Sequence, residues 1–545
     1  MKNKKSKISI LSFLLFSVFC SLFSVVYAQE ISSDKKEQEE LSLAIGAFEN
    51  GFYDTSLNLL NKFISQFPQN ALTQEAYFYI GRCYFNQKKY TLAIEQFNRL
   101  LDLKEATAYK DKIYYWLAES YFRNQDMPSA SNFYEKLTLE CPDSAYLAQA
   151  YYSLGWCLFE QGKFKEAKDK FSAFKDKFPG DLLVREADYK VAECLYNLKD
   201  YSQLKSYVEY LEKNYYPRPN SAQSENIPEV LSDTSGKRLI KFYLAESGFY
   251  LKDYPYAIDN YTQALALDSD HDFKNSVYLG LGWSYLKSGD CASALMNFDK
   301  PLSAQGGSYF ENALLGRALA LGMSLKFPEA IENYDKLISR SKDAAIILEA
   351  YIGKAEALYN QGNHSQSISV YKEAVRLCSL QVVRPGSPLA ENNLDPKVMG
   401  SFSDRISYGL GLNYLKSGNI DQALKEFSSL AQNSQDDSLK VLALTEIAGV
   451  SLESGENKKA IGIYEDILRD YPDSPAVETI TFYLGAAYYE QGDFLNSYMQ
   501  LRSFVPRYPQ SSYKAQALSF QGLSLKSLGR FQDAYEIFKQ AAKLD

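Results

Sequence analysis

The side chains best suited to chemistry in this chain of 545 residues are seven cysteines and two histidines. Trp156 and Cys157 form a pair that could mark a reactive thiol or a ligand-binding aromatic side chain. A thiol nucleophile needs a neighbouring base, and His271 and His364 lie far from Cys157 and from each other in sequence. No zinc-protease, paired-cysteine, nucleophile-elbow or phosphate-loop motif occurs. We therefore predict no catalytic residue, no cofactor and no metal site, and expect the protein not to be an enzyme.

The first 28 residues have the pattern of a secretory signal peptide. Four lysines precede an apolar run over residues 8–26, and small or permissive residues favour cleavage after Ala28. The run is also long enough for an uncleaved membrane anchor, which is the alternative. Lipidation at Cys20 is disfavoured, because Phe19 before it matches a lipoprotein signal poorly. In either case we expect the rest of the chain to be exported, to the periplasm or cell envelope.

The charge of the chain restricts its partners. The formal net charge of −8 becomes −12 after cleavage, because four lysines and no acidic residues are removed. An acidic protein is a poor ligand for nucleic acid and for anionic lipid headgroups, since like charges repel. We expect protein or peptide partners, no nucleic acid, and membrane association only through an uncleaved anchor or a membrane-protein partner.

A period of about 37 residues runs through most of the chain. Its marker is a small or equivalent residue, usually three positions after an aromatic one, which we call the anchor of its repeat. The anchors are Ser56, Ala93, Ala130, Ala167 and Leu204, then Ala257, Ala294, Ala330 and Ser367, and then Ala423, Ala460, Ser497 and Ala534. A fixed period of this length indicates stacked structural units, so we predict thirteen repeats in three blocks.

Each repeat has the pattern of two helices joined by a turn. In the fourth repeat, apolar residues over 151–158 follow the spacing i, i+3, i+4, i+7, which is one face of a helix. Gly162 then marks a turn, a second apolar stripe follows, and Pro179 ends it because proline cannot continue a helix interior. We predict that the two helices cross most closely at Gly155 and at the anchor Ala167.

These patterns resemble the tetratricopeptide repeat, whose signature is Trp/Tyr-x2-Leu-Gly-x2-Tyr, then Ala-x3-Phe, then Pro. A good match is formed by Tyr77, Ile80, Gly81, Tyr84, Ala93 and Phe97. The resemblance covers nearly all of residues 38–545 and implies an all-α fold, a right-handed superhelical α-solenoid of about thirteen helix–turn–helix units. The 37-residue spacing and the recurrent Phe/Tyr-Pro-x-Ser resemble envelope tetratricopeptide proteins of the BamD and CpoB type.

The period breaks twice, in segments rich in Pro, Ser, Asn and Gly that are typical of loops. We therefore predict a signal peptide at 1–28, a charged N-terminal extension at 29–40, a first block of five repeats at 41–217, a linker or loop at 218–236, a second block of four repeats at 237–378, a linker or loop at 379–400, and a third block of four repeats at 401–545.

The repeat also places the six cysteines outside the signal peptide. Three share a small-residue position ten residues before the anchor, namely Cys83, Cys157 and Cys194. Cys141 and Cys378 share a position at the end of the second helix, and Cys291 is expected in a turn. Cysteines one whole repeat apart are too distant for disulfide geometry. We expect buried free thiols, with one disulfide as the alternative in an oxidising compartment.

The family resemblance also implies a binding surface, because the first helices of such an array line a groove with ligand-facing side chains five, nine and twelve residues into each repeat. In the first block these positions are mostly aromatic, with interspersed charge. The candidate groove comprises Phe78, Arg82, Phe85, Tyr115, Glu119, Phe122, Tyr152, Trp156, Phe159, Tyr189, Glu193 and Tyr196. Aromatic side chains offer a large contact area at low entropic cost, which suits an extended peptide or a partner helix. The alternative is that they pack against the neighbouring repeat.

The last predicted helix, over about residues 532–544, is amphipathic and is followed by no polar capping helix. Solenoids normally need a cap. We expect this end to cap itself by repacking, or to dock a partner or a second copy of the chain.

Together these patterns favour a non-enzymatic, exported scaffold for protein–protein interaction in the bacterial cell envelope, acting in outer-membrane or envelope assembly. The alternative is a protein whose aromatic groove binds an envelope polymer such as peptidoglycan, by stacking on its sugars.

Overall fold

A computed structural model describes residues 35–102, 109–215, 234–267, 271–303, 309–383 and 395–544. The predicted signal peptide, the first part of the charged extension, most of the first predicted linker and half of the second lie outside the described residues. The chain divides into two compact units, Met1–Leu267 and Asp268–Asp545. The described residues form helices and turns without a strand, which confirms the predicted all-α fold.

The helices of the first unit begin with α1 over 35–49, so the described end of the charged extension is helical. The others are α2 (Tyr53–Gln66), α3 (Thr73–Asn86), α4 (Tyr90–Leu101), α5 (Lys110–Arg123), α6 (Met127–Glu140), α7 (Leu147–Glu160), α8 (Phe164–Lys177), α9 (Val184–Asn197), α10 (Tyr201–Tyr215), α11 (Thr234–Tyr250) and α12 (Tyr254–Ala266).

The second unit holds α13 (His271–Lys287), α14 (Cys291–Leu302), α15 (Phe310–Met323), α16 (Phe327–Arg340), α17 (Ala344–Asn360), α18 (His364–Val383), α19 (Pro396–Lys416), α20 (Ile420–Asn433), α21 (Asp437–Glu453), α22 (Asn457–Asp470), α23 (Val477–Glu490), α24 (Phe494–Arg507), α25 (Lys514–Ser527) and α26 (Phe531–Ala541). Helix occupies the described ends of the second predicted linker. The division into three blocks stays a prediction.

The helices pair as hairpins in the predicted register. Every one of the thirteen anchors is at most 3% exposed, because it faces the first helix of its own repeat. The second helix α8 ends at Lys177, two residues before Pro179, and the other repeats with this proline end in the same way. The linear period therefore defines the buried contact of every hairpin, and it defines the end of those hairpins that carry this proline.

First helices also contact each other between neighbouring repeats. These contacts join α3 to α5 and α9 to α11 in the first unit, and α13 to α15, α15 to α17, α17 to α19, α19 to α21 and α23 to α25 in the second. Within the described residues, second helices make no mutual contacts of that extent. The first helices therefore lie on the inner side of each curved unit, where a partner would be enclosed.

The close crossing predicted at Gly155 is confirmed. A Cβ atom built on Gly155 would lie 2.8 Å from the ring of Phe171, four residues after the anchor of the same repeat. The equivalent glycine of the seventh repeat, Gly282, would place a Cβ 2.5 Å from Phe298. A larger residue would have to push the two helices apart, since protein interiors have no spare volume for it.

A single turn geometry links the two helices of each repeat. Gly162 has φ +72°, a left-handed conformation that glycine adopts without steric cost. The residue five positions before the anchor has positive φ in all thirteen repeats, and in five of them it is not glycine. Leu325 is one of these, with φ +59° and a side chain that is 74% exposed.

Single substitutions at two of these turns should change the stability of the protein in opposite directions. We expect Gly162→Ala to lower the free energy of unfolding by about 1–2 kcal/mol, because its Cβ clashes in the left-handed region. Leu325→Gly should raise it by up to about 1 kcal/mol, the relieved strain being partly offset by unfolded-state entropy. Urea denaturation of both variants measures the effects. Loss of stability in both would contradict this account of the turn.

Candidate partner-binding surface of the first unit

The twelve predicted groove residues all lie on first helices, α3, α5, α7 and α9. Phe78 and Tyr189 are buried, 4% and 9% exposed, and the other ten are half-buried. The structure therefore brings them to the inner side of the unit, with none of them fully open to solvent. Their role in binding stays a prediction.

Several of the aromatic residues contact the next repeat, as the packing alternative requires. Tyr115 stacks on Tyr146, at the start of α7, with ring centroids 4.4 Å apart. Phe85 meets Trp116 of α5 edge-on at 5.1 Å. Tyr196 lies 5.8 Å from the ring of Tyr243 on α11. These side chains join neighbouring repeats while leaving part of their surface exposed on the inner side.

Two cations on this surface lie over tryptophan rings of a neighbouring repeat. The guanidinium carbon of Arg82 is 3.7 Å from the Trp116 ring centre, and the ammonium of Lys190 is 4.0 Å from that of Trp156. Cation–π contacts of this kind join α3 to α5 and α9 to α7. The sequence prediction included Arg82 and Trp156 but missed Trp116 and Lys190.

The missed residues share a repeat position, fourteen residues before the anchor, that faces the preceding repeat. In three repeats of the second unit this position carries glycine, namely Gly316, Gly353 and Gly409, and a Cβ on each would clash with an aromatic ring of the preceding second helix. Glycine there lets these repeats approach closely. Trp116 and Lys190 reach across to the preceding first helix instead.

The acidic groove residues are already engaged by the protein. Glu119 accepts a hydrogen bond from the Tyr134 hydroxyl, and Glu193 forms an ion pair with Lys190 at 2.6 Å. Glu246 occupies the same repeat position on α11 and accepts hydrogen bonds from Tyr196, at 2.9 Å, and from Tyr261. Glu246 keeps some solvent access, yet burial among surrounding protein atoms raises its pKa above the ordinary value.

The raised pKa of Glu246 predicts a pH-dependent stability. The folded protein favours the protonated form of Glu246. The stabilisation that this protonated carboxyl gives the folded state is therefore fully present below the unfolded-state pKa and is lost as pH rises through the folded-state pKa. We expect Glu246→Gln, which keeps an acceptor oxygen for Tyr196 and Tyr261, to be stabilising at pH 8 relative to the parent and near neutral at about pH 4. Urea midpoints of both proteins across this range test it. A difference that does not change with pH would contradict it.

The six cysteines outside the predicted signal peptide are free, as predicted. The predicted burial is confirmed for Cys83, Cys157 and Cys194 and is wrong for the other three, which are only half-buried. Burial raises the pKa of Cys157 and of Cys194 to about 12, so neither is a thiolate at neutral pH. Cys291 is the first residue of α14, not a turn residue as predicted. In the described residues no three His, Cys, Asp or Glu side chains come together as metal ligands.

Two family models, both described as "Tetratricopeptide repeat", match the chain. One matches residues 41–110, 315–381 and 408–475, and the other matches residues 113–144 and 149–181. The chain carries tetratricopeptide repeats. Arrays of this kind generally mediate protein–protein interaction along extended concave surfaces. Binding of a partner to the inner side formed by α3 to α9 stays a prediction. The BamD and CpoB envelope type stays a prediction.

Solved structures with a similar fold are distant in sequence. A tetratricopeptide repeat protein from Parabacteroides merdae is 15% identical with a TM-score of 0.32, covering 52% of this chain and 98% of its own. Yeast Tom70 is 16% identical with a TM-score of 0.37, covering 87% and 92%. The human IFIT1 dimer with PPP-AAAA is 14% identical with a TM-score of 0.39, covering 83% and 94%. No curated protein matches the sequence of this chain.

No helix within the described ranges is both long and apolar enough to cross a membrane.

The last helix, α26, has buried and exposed positions. Ala534 and Ala541 are buried, whereas Phe531 and Tyr535 are 68% and 61% exposed. Self-association through this helix stays a prediction.

Proposed function

We propose that this tetratricopeptide repeat protein is an exported scaffold of the bacterial cell envelope that acts in envelope or outer-membrane assembly. It binds an extended segment of a partner protein along the first helices of its first unit. The observation that carries the proposal is the continuous row of half-buried aromatic and charged side chains from α3 to α9. The lysine-rich, apolar N-terminus supports the exported location.

A peptide suits this row better than a glycan does. Stacking on sugars needs open aromatic faces, but Arg82 covers a face of Trp116 and Lys190 covers a face of Trp156. A peptide can use the exposed ring edges and the polar groups between them, since its backbone and side chains supply both apolar and hydrogen-bonding contacts.

Site-specific photo-crosslinking in cells tests the binding surface. A photoreactive phenylalanine at Phe85, Phe122 or Phe159 should give protein adducts that are identified by mass spectrometry. The matched control is Leu139, which lies on the second helix α6 and is 74% exposed. Adducts from the first-helix positions alone support the proposal. Equal adducts from Leu139 would assign binding to another surface.

The export proposal has its own test. Residues 1–40 are fused to a phosphatase that is active only outside the cytoplasm, and the N-terminus of the mature product is sequenced. Phosphatase activity with a product that starts at Gln29 supports export and cleavage. Activity with an intact N-terminus supports the anchor alternative, and an inactive fusion would overturn export.

A further inference from the structure

We propose that a cavity on the outer side of the first unit, between α8, α9 and α10, binds a tyrosine side chain of a partner protein. The cavity opens between the second helices α8 and α10, apart from the inner row of aromatic and charged residues. The inference therefore names a second interaction surface and does not rest on the proposed function of the inner side.

The cavity has a volume of about 590 Å³, within the range of small-ligand sites. Val191 and Leu195 of α9 form its apolar floor, and each is only 3% exposed. Lys168 and Ser172 lie on the wall that α8 forms, and Gln203 lies on the wall that α10 forms. An apolar floor between polar walls suits a ring that carries a hydroxyl group.

The next repeat shows how such a ring is held, because there the protein supplies the ring itself. The hydroxyl of Tyr256, on α12, donates a hydrogen bond to Glu209 of α10 at 3.1 Å. The ammonium of Lys205, also on α10, lies 4.0 Å from the centre of the same ring. Tyr256 is thus held by a cation over its ring and by an acceptor at its hydroxyl.

The repeat relates the cavity to this arrangement residue by residue. Lys168 matches Lys205, one residue after the anchor, and Ser172 matches Glu209, five residues after it. Gln203 of the cavity occupies the position of Tyr256, one residue before the anchor. Glutamine has no ring, so the cavity has the cation and a hydrogen-bonding hydroxyl but no aromatic group between them.

A second tyrosine reaches the same repeat position in the other unit. Tyr488 of α23 donates a hydrogen bond to Glu465, which lies five residues after its anchor, as Ser172 does. Tyr488 comes from a first helix, at the position that Leu195 holds in the fifth repeat. Tyrosines of this chain therefore meet that position from either helix of the following repeat, and the cavity has leucine and glutamine in their places.

The cation of the cavity has no partner among the residues that the structure describes. On the same helix, Lys170 pairs with Glu135 at 3.6 Å and Lys175 pairs with Asp188. Lys168 forms neither an ion pair nor a contact with a ring in the described part of the chain. A ring that enters the cavity would give Lys168 the contact that Lys205 makes with Tyr256.

A tyrosine fits this cavity better than a sugar ring does. A cation–π contact needs the electron-rich face of an aromatic ring, which a sugar lacks. Tyr210 lies beside the cavity and is 59% exposed, so it offers apolar contact to the residues that flank a tyrosine in a partner chain. Tyrosine is also enriched at protein interfaces, because it joins a large apolar surface to a polar end.

Nuclear magnetic resonance of the full chain with 13C-methyl-labelled leucine tests the cavity. The signals of Leu195, in its floor, are assigned with Leu195→Met. The probes are acetyl-Gly-Tyr-Gly-amide, acetyl-Gly-Phe-Gly-amide and methyl glucoside. We expect the tyrosine peptide to shift the Leu195 signals saturably, with a Kd of about 1 mM. The phenylalanine peptide should bind about fivefold more weakly, because it has no hydroxyl for Ser172.

The most informative variant gives the cavity the residue of the next repeat. Gln203→Tyr supplies the ring from the chain itself and should weaken binding of the tyrosine peptide at the Leu195 signals at least about tenfold. Lys168→Met, which removes the cation, should weaken it about threefold. The matched control is Gln422→Tyr, the same change at the same repeat position of the second unit, which should leave binding unchanged.

The reciprocal variant should create a site where the chain now has none. Tyr256→Gln removes the ring between Lys205 and Glu209, and we expect the tyrosine peptide then to shift the signals of Leu244 as well. Leu244 has the repeat position of Val191 and is 1% exposed, so it should lie in the floor of the new cavity. Circular dichroism and thermal melting of each variant establish that it is folded.

Four results would overturn the inference. They are full binding by folded Gln203→Tyr, equal binding of the two peptides, tighter binding of the glucoside, and no shift of Leu195 with the tyrosine peptide. A folded Tyr256→Gln whose Leu244 signals do not respond would contradict the relation between the two repeats and overturn it equally. Gln203→Tyr should leave the crosslinks from the inner side unchanged, so failure here is distinguishable from failure of the proposed function.

Discussion

Replacing Phe298 with alanine is expected to lower the free energy of unfolding of the seventh and eighth repeats by about 3–5 kcal/mol. The ring of Phe298 is fully buried between two glycines, Gly282 of its own repeat and Gly316 of the next. Its loss leaves a cavity that two backbones border and cannot fill by side-chain movement. Hydrogen exchange over α13 to α16, with the urea midpoint of the full chain, measures the effect.

The matched control is Phe538→Ala in the thirteenth repeat. Phe538 occupies the same repeat position and faces Gly522, but it is only half-buried and no further helix follows α26 in the described part of the chain. We expect a smaller loss, of about 1–2 kcal/mol, because less apolar surface is returned to water. Equal losses at the two positions would show that the contact between repeats adds nothing.

Replacing Asp188 with alanine should also cost about 3–5 kcal/mol, here by breaking a buried ion pair. Asp188 on α9 is 2% exposed and accepts hydrogen bonds from Tyr207 and Tyr215 of α10, besides its ion pair with Lys175 of α8. Alanine leaves a partly buried ammonium without a counter-charge and two hydroxyls without their acceptor. Urea denaturation and hydrogen exchange over α8 to α10 measure the loss.

Three comparison variants separate the causes of that loss. Asp188→Asn keeps an acceptor oxygen and should cost less, about 1–3 kcal/mol. Combining Asp188→Leu with Lys175→Met removes both charges and should recover most of the stability. Removal of the exposed ion pair between Glu456 and Lys459, both 54% exposed, should cost at most about 0.5 kcal/mol. If Asp188→Ala cost no more than this exposed pair, the buried cluster would not be stabilising.

The partner-binding surface was only partly predictable from the sequence. Family resemblance placed all twelve candidate residues on first helices, because each occupies a fixed position relative to an anchor. It left open whether their rings bind a ligand or the next repeat, and Tyr115 and Tyr196 do contact the next repeat. Asp188 was not identified at all, since its partners come from the helices before and after its own.

The sequence alone determined that the repeat is a helical hairpin, how many hairpins there are, where their two helices cross, and where the hairpins with a terminating proline end. Burial on a helix face is a linear pattern with a fixed period, so anchors such as Ala167, the crossing glycine Gly155 and the terminating Pro179 are visible without a structure. Only the tertiary structure decided how neighbouring repeats meet. Arg82 and Trp116 are 34 positions apart, and so are Trp156 and Lys190. Whether such side chains touch depends on the distance between first helices, which is a property of the packed repeats and not of any one of them.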